Sequence, residues 1–276
     1  MDQWRWVYAV SDTSLQNRVV LITGGSRGLG REMALALAKA GAKVVITGAT
    51  ASNALQTTLK ELGNGAIALP ADVTNPHAAA HPVTKTIEIF GRLDVLINNA
   101  GIGMRLISET FNTQPTKFWE ADPDAWRRIV DTNINGTFLM TRAAVPRMLA
   151  QGFGKIINIS TSDQTMVRQG YAPYGPTKAF LEATSRVWAA DLAGTGVDVN
   201  VLLPGGAADT DLLPPSPNKK GADGNLLSPD VMRAPALWLA SDASNGITGA
   251  RYIARLWKDE NPDAARDDGG EKPRIM

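Results

Sequence analysis

VVLITGGSRGLG, running from Val19 to Gly30, is the stretch that decides the fold. Its first residues form a β-branched run without alternation, as in a strand buried on both faces of a parallel sheet. Glycine-rich Thr23–Gly30 then allows a sharp turn, and the spacing predicts a helix over Leu29–Ala40, with Gly41 placed as its C-cap glycine. Strand, glycine turn and helix in that order aim free N–H groups at a point suited to a pyrophosphate. Gly24, Gly28 and Gly30 give the turn and the close approach; Ser26, Arg27 and Leu29 complete the expected contact set.

Outward from this unit the pattern repeats. Dense apolar runs at Lys43–Thr47, Ala66–Leu69, Leu93–Asn98, Lys155–Ser160 and Val197–Leu203 predict further strands. Helical segments at Asp124–Ala150 and Thr177–Ala193 fall between them. Alternation of this kind defines an α/β fold with a doubly wound, mostly parallel sheet of Rossmann type in a single domain. That domain is expected over residues 17–257, after an N-terminal extension (1–16) carrying Trp4, Trp6 and Tyr8. Residues 258–276 hold few apolar groups and are predicted to be a disordered tail.

Two connections are long. Ile102–Pro123 carries Phe111, Phe118 and Trp119, which favour a folded lid; Gly205–Leu227 is rich in Gly, Pro and Lys. Both follow the C-terminal ends of strands, where ligands bind in such sheets.

Composition excludes several classes. With 28 basic and 27 acidic residues the net charge is +1, so nothing marks a nucleic-acid or anionic-membrane partner. No cysteine is present, which excludes disulfides, thiol catalysis and thiolate metal sites. No run of about 18 apolar residues suggests a membrane span, and the N-terminus lacks the apolar core of a signal peptide. A soluble cytoplasmic protein is expected.

An NAD binder usually places a carboxylate on the ribose roughly 20 residues after the glycine loop. Here Thr47-Gly48-Ala49-Thr50 offers none, whereas Arg27 can meet a 2′-phosphate. The cofactor expected is therefore NADP, with NAD as the alternative.

Downstream stand INNAG (Ile97–Gly101), DTNINGTF (Asp131–Phe138), INISTS (Ile157–Ser162), YGPTK (Tyr174–Lys178) and LPGG (Leu203–Gly206). In this order, behind the glycine loop, they resemble the compact single-domain branch of the short-chain dehydrogenase/reductase family from about Asn17 to Arg251. The resemblance implies hydride transfer between NADP(H) and a ketone or secondary alcohol. Tyr174 matches the family's general acid/base, and Lys178 its lysine, which also holds the nicotinamide ribose. Asn133 matches the asparagine that holds a helix irregularity and a water leading to that lysine. Asn99, Ala100 and Gly101 would line the adenosine ribose and Asp72 and Val73 the adenine, with Pro204 and Gly205 also in the cofactor set. The matching helix packs on another subunit in the family, so a homotetramer or homodimer is implied.

The physics supports the central pair. Tyr174 and Lys178 are four apart and share a helix face. A nearby ammonium is expected to lower a phenol pKa by roughly 1–3 units. Tyr171 has Gly175 four residues on and lacks such a cation. The family's carbonyl-orienting serine falls about 13 residues before the tyrosine, on Thr161; Ser162 is the alternative if the register shifts. Further departures are a longer connection from Gly101 to Asn133, expected to bring Met104, Phe118 and Trp119 to the substrate side, and GARYIARLW in place of a glycine-rich close. His77 and His81, followed by Pro82, read as a solvated helix start, and no metal site is expected; Phe180 and Trp188 read as candidate core. The competing reading is a non-catalytic dinucleotide-binding sensor or scaffold of the same fold.

Overall fold

The computed structural model describes residues 15–267 apart from 218, 222 and 223. In it, one seven-stranded parallel sheet runs through the described chain in the order β3-β2-β1-β4-β5-β6-β7. The strands are β1 (Val19–Ile22), β2 (Lys43–Gly48), β3 (Ile67–Pro70), β4 (Val95–Asn98), β5 (Gly154–Ile159), β6 (Val197–Leu203) and β7 (Arg251–Ile253). Helices fill the crossovers: α1 (Gly28–Lys39), α2 (Asn53–Leu62), α3 (Pro76–Phe90), α4 (Pro123–Val130), α5 (Thr137–Gln151), α6 (Asp163–Met166), α7 (Tyr174–Asp191) and α8 (Arg233–Ala240). The order reverses between β1 and β4, which opens a crevice at the C-terminal ends of both strands.

Alternate residues of a strand feed opposite cores. Val20 and Ile22 pack with Met33, Ala34 and Leu37 of α1, while Leu21 packs on the other side with Val83 of α3 and Met140 of α5. Each of these strand side chains is fully buried, and each contributes about 1.5–3 kcal/mol over exposure. On α1 the buried positions are Gly30, Met33, Ala34 and Leu37, the spacing of one helix face. Gly41 has φ +91° and follows the helix end, as expected of its position.

The long predicted helix over Asp124–Ala150 is interrupted. Between α4 and α5, residues Asp131–Gly136 form a π-helical segment. Gly136 is required there, since a Cβ would lie 2.6 Å from Val73 Cγ2. π-Segments of this kind gather at functional sites, and this one carries Asn133.

Residues 258–267 correct the expectation of a disordered tail. Pro262–Ala265 forms a short 3-10 helix with both end residues buried, and the Asp267 N–H donates to Arg251 O at 2.7 Å. Average composition hid two small apolar side chains that join the core and a carboxylate with a buried partner. The remainder of that segment and the N-terminal Trp4, Trp6 and Tyr8 lie outside the described residues. Phe180 is a second correction: it is exposed on α7, although Trp188 packs partly buried against the core. Among the described residues no helix is long and apolar enough to cross a membrane.

Candidate active site

A cleft of about 1150 Å³ lies along the C-terminal ends of the strands. Its floor begins at the glycine loop. Gly24 and Gly28 adopt φ +64° and +54°, and Cβ atoms there would meet Ala100 Cα and Thr210 Cγ2, each at 3.0 Å. Gly30 lies behind the loop, where a Cβ would approach Asn99 Nδ2 and Gly24 O to 2.4 Å. The Asn99 side chain itself braces the loop, donating to Thr23 O at 3.0 Å and Gly24 O at 2.9 Å. Thr23 Oγ1 accepts from the N–H groups of Asn99 and Ala100, each at 3.0 Å. The loop is therefore a braced, glycine-rich cradle at the start of α1, and its geometry fits the pyrophosphate of a dinucleotide.

Ser26, Arg27, Gly28 and Leu29 line the cleft, as do Asp72, Val73, Asn99, Ala100, Gly101, Pro204 and Gly205. The Asp72 carboxylate accepts from the Thr74 N–H at 3.0 Å and the Thr74 hydroxyl at 2.8 Å, which fixes the turn after β3. At the end of β2, Thr47 Oγ1 is buried without a hydrogen-bond partner. Arg27 is exposed and pairs at 3.2 Å with Asp211, itself exposed.

The chemical end lies where β5 runs out. Thr161, Ser162, Tyr174 and Lys178 all line the same cleft. Tyr174 opens α7 and Lys178 stands one turn on, with its Nζ donating to Ile159 O at 2.7 Å. The Thr161 hydroxyl stands beside the Tyr174 phenol, whereas Ser162 Oγ lies 2.9 Å from Thr165 Oγ1. Asn133 is 1% exposed and sits behind the cleft wall. Its Nδ2 donates to Ile102 O at 3.1 Å and Thr177 Oγ1 at 3.0 Å, while its Oδ1 accepts from the Ile102 N–H at 2.9 Å. It thus ties the π-segment to α7 and to the chain leaving β4.

Electrostatics here differ from the expectation that Lys178 lowers the phenol. Burial pushes Tyr174 up to about 12, against the lowering effect of the Thr161 hydroxyl beside it. Burial likewise brings Lys178 down to about 8, and the Glu182 carboxylate pulls it back upward.

Two long connections form the outer wall, and they touch. Arg105 donates to Asp211 O at 2.8 Å, and a Cβ on Gly103 would meet Leu212 at 2.8 Å. The first connection is held by Thr116, whose hydroxyl donates to Gly170 O at 2.8 Å. Gly170 has φ +77°, and a Cβ there would lie 2.7 Å from Thr116 N, so only glycine permits the docking. Phe111 is buried against Tyr171, ring centroids 5.4 Å apart and edge to face. Met104 lines the cleft as expected, but Phe118 and Trp119 do not: they stack on each other and are 63% and 68% exposed. Once Thr116 is anchored, the chain turns away toward α4 and carries both rings off the substrate side. His77 and His81 are exposed on α3.

Sequence reasoning missed Phe111, Arg168 and Tyr171 as cleft residues, and also Arg251, whose guanidinium donates to Thr161 O at 3.2 Å. The irregular GARYIARLW close was the one available signal for the last.

A parallel sheet with a glycine cradle at its switch point defines a dinucleotide-binding oxidoreductase fold. A family model described as short chain dehydrogenase matches residues 18–221, and the chain belongs to the short-chain dehydrogenase/reductase family, whose enzymes act on carbonyl and hydroxyl groups. It is 38% identical over 196 residues to a 3-oxoacyl-[acyl-carrier-protein] reductase of Synechocystis sp., covering 70% of this chain and 75% of the relative. It is 32% identical to an acetoacetyl-CoA reductase of Shinella zoogloeoides, covering 86% and 97%. Among solved structures it resembles a 3-ketoacyl-(acyl-carrier-protein) reductase from Brucella melitensis complexed with NADH, with TM-score 0.75, 31% identity and coverage of 86% and 96%.

Proposed function

We propose that the chain interconverts a ketone and a secondary alcohol with NADP(H), using Tyr174 as general acid/base. The observation that carries this reading is that Thr161, Tyr174 and Lys178 line one cleft, with the Thr161 hydroxyl beside the phenol. When bound, the nicotinamide supplies or accepts the hydride. Tyr174 gives its proton to the carbonyl oxygen in reduction and takes one from the alcohol in oxidation. Thr161 donates a hydrogen bond to that same oxygen and orients it. Lys178 holds the nicotinamide ribose and stabilises a phenolate. Asn133 positions Lys178's helix and supports proton supply behind it.

Gly24, Ser26, Arg27, Gly28, Leu29 and Gly30 hold the pyrophosphate end; Asp72 and Val73 face the adenine. Asn99, Ala100 and Gly101 border the adenosine ribose, and Pro204 and Gly205 close the far side. Preference for NADP is supported by the exposed Arg27 of the glycine loop and by a β2 end, Thr47-Gly48-Ala49-Thr50, without a carboxylate. Exposed Phe138 on α5 and Phe180 and Val187 on α7 support assembly into a homodimer or homotetramer, and the cysteine-free sequence suits the cytoplasm. Turnover of a ketone and alcohol panel with each cofactor tests the reading; cofactor binding without turnover of any member would favour the scaffold alternative.

A further inference from the structure

Arg251 is 6% exposed at the start of β7, and its guanidinium holds partners from three other segments. Nε donates to both oxygens of Glu182 at 3.0 Å. One terminal nitrogen donates to Asp163 Oδ1 at 2.6 Å and to the main-chain oxygen of Thr161 at 3.2 Å. The other pairs with Asp267. Glu182 stands on α7, four residues after Lys178 and eight after Tyr174; Asp163 opens α6 two residues after Thr161. The planar fork of a guanidinium suits this task, because its donors point in fixed directions. A lysine has no such plane. The half-buried Glu182 carboxylate needs the cation opposite it.

We propose that Arg251 is a positioning residue for the reaction, clamping the main chain of Thr161 to the helix that carries Tyr174 and Lys178. Asp267 makes the C-terminal segment part of that clamp. Four segments far apart in sequence, β7 among them, meet on one cation, and two of them carry a proposed catalytic group. The inference rests on the proposed reaction for its kinetic consequence but not for its structural one.

The test uses the full chain as wild type, Arg251→Met, Arg251→Lys and Asp267→Asn. Amide exchange, NADPH affinity and steady-state kinetics on one accepted ketone are measured for each. Arg251→Met should exchange faster over residues 160–167 and lose kcat by about 10- to 100-fold, the scale of a misplacement near 1 Å. Cofactor affinity and exchange in α1 should stay at wild-type values. Arg251→Lys should recover part of the lost kcat. If Arg251→Met does not fold, Asp267→Asn decides: it should lower kcat by a smaller factor and speed exchange over 262–267 with KM unchanged. Wild-type kcat and exchange in the deciding variant overturn the clamp, as does a kcat loss matched by an equal loss of cofactor affinity. A wild type that binds NADPH but reduces no ketone sinks the proposed reaction instead, and exchange over 160–167 then decides the clamp alone.

Discussion

The Thr161 hydroxyl stands beside the phenol of Tyr174, thirteen residues further along the chain, and favours its ionised form. Its neighbour Ser162 is engaged with Thr165 at 2.9 Å. Consecutive residues after a strand point to opposite sides, so one of the two hydroxyls is available to orient a carbonyl beside Tyr174. Thr161→Val should lower kcat by about 10²–10³ with little change in cofactor affinity, the loss expected for one oxyanion donor. Ser162→Ala should be mild, and Thr161→Ser should retain activity. A crippled Ser162→Ala beside a nearly silent Thr161→Val would move the role to Ser162.

Arg27 is held only by an exposed ion pair with Asp211, an interaction that costs little to exchange for another anion. Arg27→Ala should therefore weaken NADPH more than NADH, by a difference of about 1.5–3 kcal/mol. Titration of both cofactors into both proteins measures it. Equal losses would assign Arg27 to the shared pyrophosphate.

Lys178 sits near pKa 8 because burial lowers it, and Glu182 opposes that fall. The protonated form is the one that stabilises a phenolate, so activity should decline as pH rises through this value. Glu182→Gln removes the charge that holds the ammonium up. Its alkaline limb should move to lower pH, read from kcat/KM between about pH 6 and 9. A limb that stays in place, or moves upward, contradicts the coupling.

Lys155 and Lys178 are both brought down to about 8 from an ordinary 10.5, chiefly by burial. Between those pH values the unfolded chain binds more protons than the folded one, so both groups make stability rise with pH there. Lys155, whose ammonium donates to Ser244 Oγ at 2.8 Å, separates structure from chemistry because it lies outside the cleft. Urea unfolding of Lys155→Met should show a shallower rise from pH 8 to 10 than wild type. Parallel slopes would mean the folded protein does not depress this lysine.

The fold was legible because each buried strand is a short apolar run and the glycine loop marks where the first one ends. Thr161, Tyr174 and Lys178 were placed together by short sequence intervals and the resemblance, and all three line the cleft; Asn133 came from the resemblance alone and sits behind the wall. The π-segment was not legible in local pattern, since DTNING has no periodicity separating it from the helices on either side; only the resemblance implied an irregularity there, at Asn133. Nor was the outward turn of Phe118 and Trp119, which depends on Thr116 reaching Gly170 across 54 positions. Arg251 finds its carboxylates 16, 69 and 88 positions away. Charge pairing over such distances leaves no trace in local pattern, and the short C-terminal segment was misread for the same reason.

The central claim is that the Tyr174 hydroxyl moves the proton. Tyr174→Phe removes only that oxygen from a residue at the cleft wall, leaving the glycine cradle, Lys178 and Asn133 in place. Steady-state turnover of one accepted ketone and NADPH affinity should be measured together in wild type and variant. The account predicts a fall in kcat of about 10²–10⁴ with cofactor affinity nearly unchanged. A variant retaining more than about a tenth of the wild-type rate, against that expected loss, would contradict it.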